Sequence, residues 1–200
     1  MQYNASMENW LDISTFLLFV LQKAYWLISE KRADREKPRV RKRPPLFNKA
    51  RIIEYGVWCV LLLLFVQLIL HVSILPMGSY SLMPQIGFLL VVLGLGLGLM
   101  ARRQLAENWA HSWEYQVKQK QELVTTGIYS LIRHPIYASF AFASIGAELV
   151  AKSWLVVVFF GLFWTSYRQA KKEEILLEGH FGAAYKMYMN HTKMFIPFLW

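Results

Sequence analysis

Between Leu123 and Tyr137 the chain reads LVTTGIYSLIRHPIY. The stretch gathers hydroxyls (Thr125, Thr126, Ser130), a turn glycine (Gly127), two phenols (Tyr129, Tyr137), a guanidinium (Arg133) and an imidazole (His134). Pro135 suits the first turn of a helix, where a missing N–H costs nothing. Free N–H groups of that turn would face back toward the loop and favour an anion, with Arg133 and His134 adding positive charge. The hydroxyls could meet a ribose or an amino group, and Gly127 could let backbone approach a ligand closely. Tyr129 and Tyr137 offer ring faces to an adenine or a cation.

Further along, Glu173 and Glu174 supply the opposite charge. Carboxylates near a membrane are costly unless matched, so they are functional candidates by default. They could stabilise a sulfonium or ammonium, or pair with Arg133, Arg168 or Lys171. A ligand with a carboxylate, a cationic centre, an aromatic base and a ribose fits S-adenosylmethionine. A nucleotide phosphate would also suit Arg133 and the helix start. No metal site is expected.

The elements that must position these groups are hydrophobic. The chain has 200 residues, 56% of them hydrophobic and 16% aromatic. Mean hydropathy is +0.29. These figures point to a membrane protein of a single domain. The formal charge of +9 is concentrated in Lys31, Arg32, Arg35, Lys37, Arg39, Arg41, Lys42, Arg43, Lys49 and Arg51. Such a run next to apolar segments reads as a cytoplasmic loop that attracts anionic lipid, rather than as a nucleic-acid surface. Pro38, Pro44 and Pro45 keep it from continuing a helix. The single cysteine, Cys59, excludes an internal disulfide and reads as a small apolar residue. The first residues carry no positive charge, and Glu8 and Asp12 precede the apolar run, unlike a cleaved signal.

Five apolar segments follow in order: Ile13–Ser29, Tyr55–Leu75, Ile86–Met100, Ile136–Val150 and Ser153–Tyr167. The first contains Gln22 and Lys23, so an interfacial amphipathic helix is its alternative. Gly94 and Gly98 form a GxxxG pair for close helix packing. They do not make a dinucleotide fingerprint, because Leu99 stands where a third glycine is required. Ala101–Gln121 is polar and aromatic, suited to an interface anchored by tryptophans or to ligand contact. The last two segments span about 22 Å each at helical rise, short for a full crossing, and should pair as a hairpin. Glu173 and Glu174 open an amphipathic helix ended by Gly179 and Gly182, and the remainder caps the membrane surface. With the basic loop inside, the N-terminus lies outside. The Leu123–Tyr137 and Glu173–Glu174 stretches then meet on the cytoplasmic side, at the base of the hairpin.

LVTTGIYSLIRHPIY followed by EEILLEGHFGAAYKMY resembles the isoprenylcysteine carboxyl methyltransferases and their prokaryotic relatives, and phospholipid N-methyltransferases share a similar motif. The resemblance covers about Asn108 to Pro197. It implies an all-α integral membrane protein with about five transmembrane helices, a C-terminal helical hairpin and a cytoplasmic cofactor pocket. On this view residues 1–107 supply membrane helices and the basic loop, and 108–200 the methyltransferase core. The resemblance further implies S-adenosylmethionine as methyl donor and a lipophilic acceptor entering from the bilayer. Carried over by motif position, cofactor contacts fall on Glu114, Gln121, Glu122, Leu123, Val124, Tyr129, His134, Pro135, Ile136 and Tyr137. Glu173 matches a glutamate on the acceptor side, with Arg168, Gln169 and Glu174 beside it. The chain departs from the pattern at Gln169, where the family often has arginine, with Arg168 on a different helical face. Glu114 and Gln121 stand where eukaryotic enzymes have a glutamine and a histidine.

Methyl transfer is an in-line displacement at carbon on positive sulfur, and alignment alone can supply about 7–11 kcal/mol of the barrier. Arg133, His134 and Glu173 are the candidate catalytic residues. A carboxylate acceptor needs no base, whereas an amine or thiol would draw on His134 or Glu173. The alternatives are a phospholipid or small-molecule N- or S-methyltransferase, a nicotinamide-dependent membrane reductase of similar core, and a non-catalytic membrane anchor.

Overall fold

The computed structural model describes residues 2–36, 49–78, 82–105 and 122–198, with side chains from Asn9 onward except 33–36, 49–54, 57, 58 and 60. Most of the basic loop, Glu114 and Gln121 lie outside the described residues. The elements are α1 (Gln2–Glu36), α2 (Lys49–Leu70), α3 (Met83–Leu105), a 3-10 turn (Gly127–Ser130), α4 (Pro135–Val150), α5 (Val156–Phe181) and α6 (Ala183–His191). Among the described residues the fold is all-helical, with two isolated β-bridges. By length and composition, Asn9–Arg32 and Met83–Leu105 suffice to cross a membrane; Leu61–Leu70 and Pro135–Val150 are shorter apolar helices.

Several boundaries differ from the sequence expectation. α1 runs well past Ile13–Ser29 at both ends. Its flanks are rich in good helix formers and lack glycine or proline until Pro38, so the helix continues beyond its apolar part. α2 stops at Leu70 rather than Leu75. His71 takes a left-handed conformation (φ 52°), and the Val72 N–H reaches back to the Gln67 carbonyl at 3.1 Å, a Schellman-type ending. Glu173 and Glu174 do not open a new helix. They lie inside α5, which passes through Gly179 and ends at Gly182 (φ 57°).

α3 and α4 form the tightest pair because small residues face each other. A methyl group at Gly94 would sit 2.6 Å from the Ala143 nitrogen, and one at Gly87 would sit 2.5 Å from the Gly146 carbonyl oxygen. The GxxxG reading is therefore correct, and it extends to Gly87 and to the Ala/Gly face of α4. Phe65 of α2 meets Phe16 and Phe19 of α1 edge-on, at 5.7 and 5.9 Å between centroids. A larger apolar cluster around Leu64, Leu68, Val91 and Ala147 fills one end of the bundle, and a smaller one around Ile132, Ala138, Ala170 and Phe195 fills the other.

At the first of these ends the loops are stitched together. Met77 N–H donates to the Lys152 carbonyl at 2.7 Å and Trp154 N–H to the Leu75 carbonyl at 2.9 Å. Ser153 Oγ bonds the Ile74 carbonyl. Gln67 Nε2 donates to the fully buried Glu148 at 3.0 Å, and His71 lies 2.9 Å from Asp12. At the opposite end the chain after α6 returns alongside residues 131–134. Arg133 N–H donates to the Lys193 carbonyl (2.8 Å) and His134 N–H to the Met194 carbonyl (3.0 Å). This return fixes where α4 begins and so where its first side chains point.

Candidate active site

Pro135 at the first position of α4 is buried, and His134 immediately before it is 6% exposed. α5 runs alongside and presents Glu173 and Glu174 to this helix start. Arg133 Nε donates to Glu174 Oε1 at 2.7 Å. Its Nη1 donates to the Met189 carbonyl at 3.3 Å and to the Thr192 carbonyl. One guanidinium thus joins the α4 start, α5 and the end of α6, satisfying carbonyls that a helix terminus leaves open. His134 lies between the two carboxylates, with Nδ1 3.7 Å from Glu173 Oε2 and Nε2 3.5 Å from Glu174 Oε1. Tyr137, in the first turn of α4, donates its hydroxyl to Glu173 Oε1 at 2.5 Å. The His134 ring also lies 5.7 Å from Tyr137 and 5.9 Å from Phe195, centroid to centroid.

The two adjacent glutamates are set apart electrostatically. Desolvation acts to raise Glu174, but the bonds and charges of His134 and Arg133 prevail and bring it down to about 2. Glu174 is therefore a fixed negative charge at neutral pH. Desolvation raises Glu173, and the neighbouring Glu174 adds to this; His134, Tyr137 and Gln169 offset the rise only in part. Neighbouring carboxylates driven in opposite directions suit different tasks, one holding charge and the other exchanging a proton or meeting a cation.

Several sequence candidates take other roles. The Arg133 guanidinium serves Glu174 and the α6 end, and the N–H groups of Arg133 and His134 serve the returning chain. This part of the helix start is thus occupied by protein rather than open to an anion. Gly127 is needed for its left-handed backbone (φ 60°) and for the approach of Gln104. A methyl group there would meet the Gln104 side chain at 2.0 Å. Gln104 Oε1 in turn accepts the Ile128 N–H at 2.8 Å. Ser130 bonds the Gly127 carbonyl within its own turn. Tyr129 is buried beneath Arg102 and α3, its hydroxyl 3.5 Å from the Ala101 carbonyl, and burial raises it well above the ordinary phenol value. Glu122 is exposed, while Leu123, Val124 and Ile136 are half-buried. Gln169 hydrogen-bonds Glu173. Arg168 is exposed, on a face of α5 away from the cluster.

The residues that sequence reasoning missed come from the C-terminal part. Tyr188 donates to the Tyr129 carbonyl at 2.7 Å, and the Thr192 hydroxyl donates to the Tyr188 carbonyl at 2.6 Å. Phe195 packs on His134 and on Phe163. The i, i+3 spacing of the buried Tyr185 and half-buried Tyr188 was the available signal, since a surface cap would not turn both phenols inward.

This constellation of a Pro-started helix, a buried His and two unlike glutamates sits within the segment matched by a known family. The phospholipid methyltransferase family profile matches residues 83–184. The chain belongs to that family. It is similar to the protein-S-isoprenylcysteine O-methyltransferase of Saccharomyces cerevisiae, 34% identical over 131 residues, covering 62% of this chain and 55% of the yeast protein. The Homo sapiens protein-S-isoprenylcysteine O-methyltransferase is 30% identical over 115 residues, covering 56% of this chain and 40% of the human protein. The chain spans about half the length of the curated relatives it matches. Its fold resembles that of the eukaryotic intramembrane Ras methyltransferase, isoprenylcysteine carboxyl methyltransferase. That comparison gives a TM-score of 0.57 at 20% identity, over 77% of this chain and 55% of the other.

Proposed function

We propose that the protein is an integral membrane methyltransferase that uses S-adenosylmethionine and methylates a lipophilic acceptor, most simply the carboxylate of an isoprenylcysteine. The observation that carries this reading is the junction of α4 and α5. There His134 and Tyr137 close on Glu173, while Arg133 holds Glu174. The half-length match to the relatives named above supports the acceptor class. We further propose that five helices cross the bilayer and that this junction faces the cytoplasm, with the basic loop on the same side.

The residues at the junction suit the cofactor. The His134 ring is buried between the two carboxylates, Nε2 toward Glu174 and Nδ1 toward Glu173. Glu173 retains 30% side-chain exposure, so a cationic group can reach it. Glu122, Leu123, Val124, His134, Pro135, Ile136 and Tyr137 would hold the cofactor, with Glu114 and Gln121 from the segment before them in sequence, while the buried Tyr129 would support them from behind. When bound, S-adenosylmethionine supplies a methyl group on positive sulfur. Glu173 contributes negative charge that favours a cation beside it, and Tyr137 fixes the direction in which that carboxylate points. His134, set by Phe195 and Tyr137, lies 3.7 Å from Glu173 through Nδ1, and this pair could take up an acceptor proton. An isoprenylcysteine carboxylate is already a nucleophile and would leave that capacity unused; an amine or thiol would require it. Glu174 and Arg133 position these groups. Gln169, held on Glu173, lies on the acceptor side.

The deciding experiment is transfer of radiolabelled methyl from S-adenosylmethionine by the purified chain into a farnesylcysteine derivative and into a phospholipid amine. Base-labile label on the first substrate supports the ester-forming reading. Base-stable label on the second would move the protein to the N-methylating branch. No label in either would overturn the enzymatic reading.

A further inference from the structure

Beside the α4–α5 junction, lined by Arg133 but not by Glu173, lies a cavity of about 270 Å³. Its lining includes Arg133, Lys171, Lys193, Tyr167 and Thr192. Three cations surround it, and Glu174, ion-paired with Arg133 and with Lys171 (3.3 Å), is the negative charge beside them. Among the described residues, three positive charges against one leave the cavity with an excess of two, so it favours an anion. Lys171 is half exposed and lies 6.0 Å from the centre of the Tyr167 ring.

The same face of α5 continues away from the cavity as an exposed apolar stripe. Val157, Phe160 and Trp164 are each more than half exposed, and their spacing of three and four residues puts them in line with Tyr167 and Lys171. Trp164 stacks on Tyr167 at 5.2 Å, joining stripe to cavity. From Phe160 to Lys171 the helix rises about 16 Å, close to the hydrocarbon depth of one leaflet, about 15 Å. An aromatic pair at the headgroup level with cations just beyond it is the pattern of a membrane interface.

We propose that this cavity is an anionic-lipid site, with a phosphate headgroup held by Lys171 and Lys193 beside the positive charge of Arg133, and acyl chains along Trp164, Phe160 and Val157. The occupant is identified by the combination of charge and greasy length. A small anion would use the cations and ignore the stripe; a neutral lipid would use the stripe and gain nothing from the cations. The site does not depend on the chemistry of the neighbouring cluster. A lipid there would also brace the Arg133 anchor from outside.

The test uses the full chain purified in detergent, with native mass spectrometry to count lipids retained from mixtures of phosphatidylglycerol and phosphatidylcholine. The wild type should retain one phosphatidylglycerol in preference to phosphatidylcholine. The double variant Lys171→Gln/Lys193→Gln should lose that lipid, with affinity falling about thirtyfold for the removal of two interfacial cations. The variant Lys31→Gln/Arg32→Gln, altered at the basic edge of α1, should keep it. Inorganic phosphate at millimolar concentration should not displace it. Equal retention of the two lipids by the wild type, or unchanged retention by the double variant, would overturn the proposal. Displacement by inorganic phosphate would reassign the cavity to a free anion. Both lysines are exposed, so the variants should fold, and an unchanged circular dichroism spectrum checks this.

Discussion

The α4–α5 hairpin carries buried carboxylates at both ends, and the two ends treat them differently. At the turn end, Glu148 is fully buried and receives a neutral amide from Gln67. Around it the Ser153, Ser73 and Ile74 bonds tie loop to loop. At the open end, Glu174 meets Arg133, His134 and Lys171, while Glu173, one residue away, is only half-buried and is held by Tyr137 and Gln169. Neutral partners make a clamp that closes loops. Opposed charges, a second carboxylate and a histidine make a place where charge can be presented to a ligand. What separates the two ends is the company each glutamate keeps, together with the exposure that Glu173 retains.

The largest effect that would test this contrast is expected at Arg133. Arg133→Ala leaves Glu174 buried without its main cation and releases the α6 end, which should cost about 3–5 kcal/mol. Thermal unfolding in detergent should show it, and Arg133→Lys should recover little, since a single ammonium cannot serve Glu174 and two carbonyls together. A near-normal melting temperature for Arg133→Ala would return the arginine to a direct ligand role.

Acid provides the next test. Glu174 has a folded value of about 2 against an ordinary 4.5. Because the folded value is the lower, its contribution is fully present above pH 4.5 and is lost as pH falls toward 2. That loss is worth about 3 kcal/mol. Glu173, shifted upward, acts in the opposite sense and softens the loss. The melting temperature of wild type should therefore drop over this window, and Glu174→Gln should flatten the drop. An equally steep decline in the variant would place the acid sensitivity elsewhere.

Glu173→Gln is expected to separate function from stability. Methyl transfer should fall about a hundredfold, within the range of a lost proton-transfer or charge role, while the melting temperature stays within about 0.5 kcal/mol equivalent of wild type. Full activity in this variant would leave the half-buried glutamate with no more than a structural part. At the other end of the hairpin the pattern should invert. Gln67→Ala removes the amide on Glu148 and should cost about 1–3 kcal/mol, with the rate per folded molecule unchanged. A variant that melts normally yet turns over slowly would erase the distinction between the two ends.

The sequence by itself determined a large part of this protein. The apolar segments, the GxxxG face and the Pro135 helix start are local properties, set by side-chain volume, hydropathy and the missing proline N–H. The pairing of Leu123–Tyr137 with Glu173–Glu174 was also legible, because a short hairpin leaves its two ends adjacent. Tertiary structure decided which of the two glutamates is locked and which is presented. That depends on helical phase within α5, and residues one apart differ by about 100° in direction. It also decided that Gly127 admits Gln104 rather than a ligand, and that Arg133 is committed to the end of α6. Long-range contacts of this kind follow from how the chain after Gly182 folds back on residues 131–134, and nothing in the local pattern of either segment encodes that return.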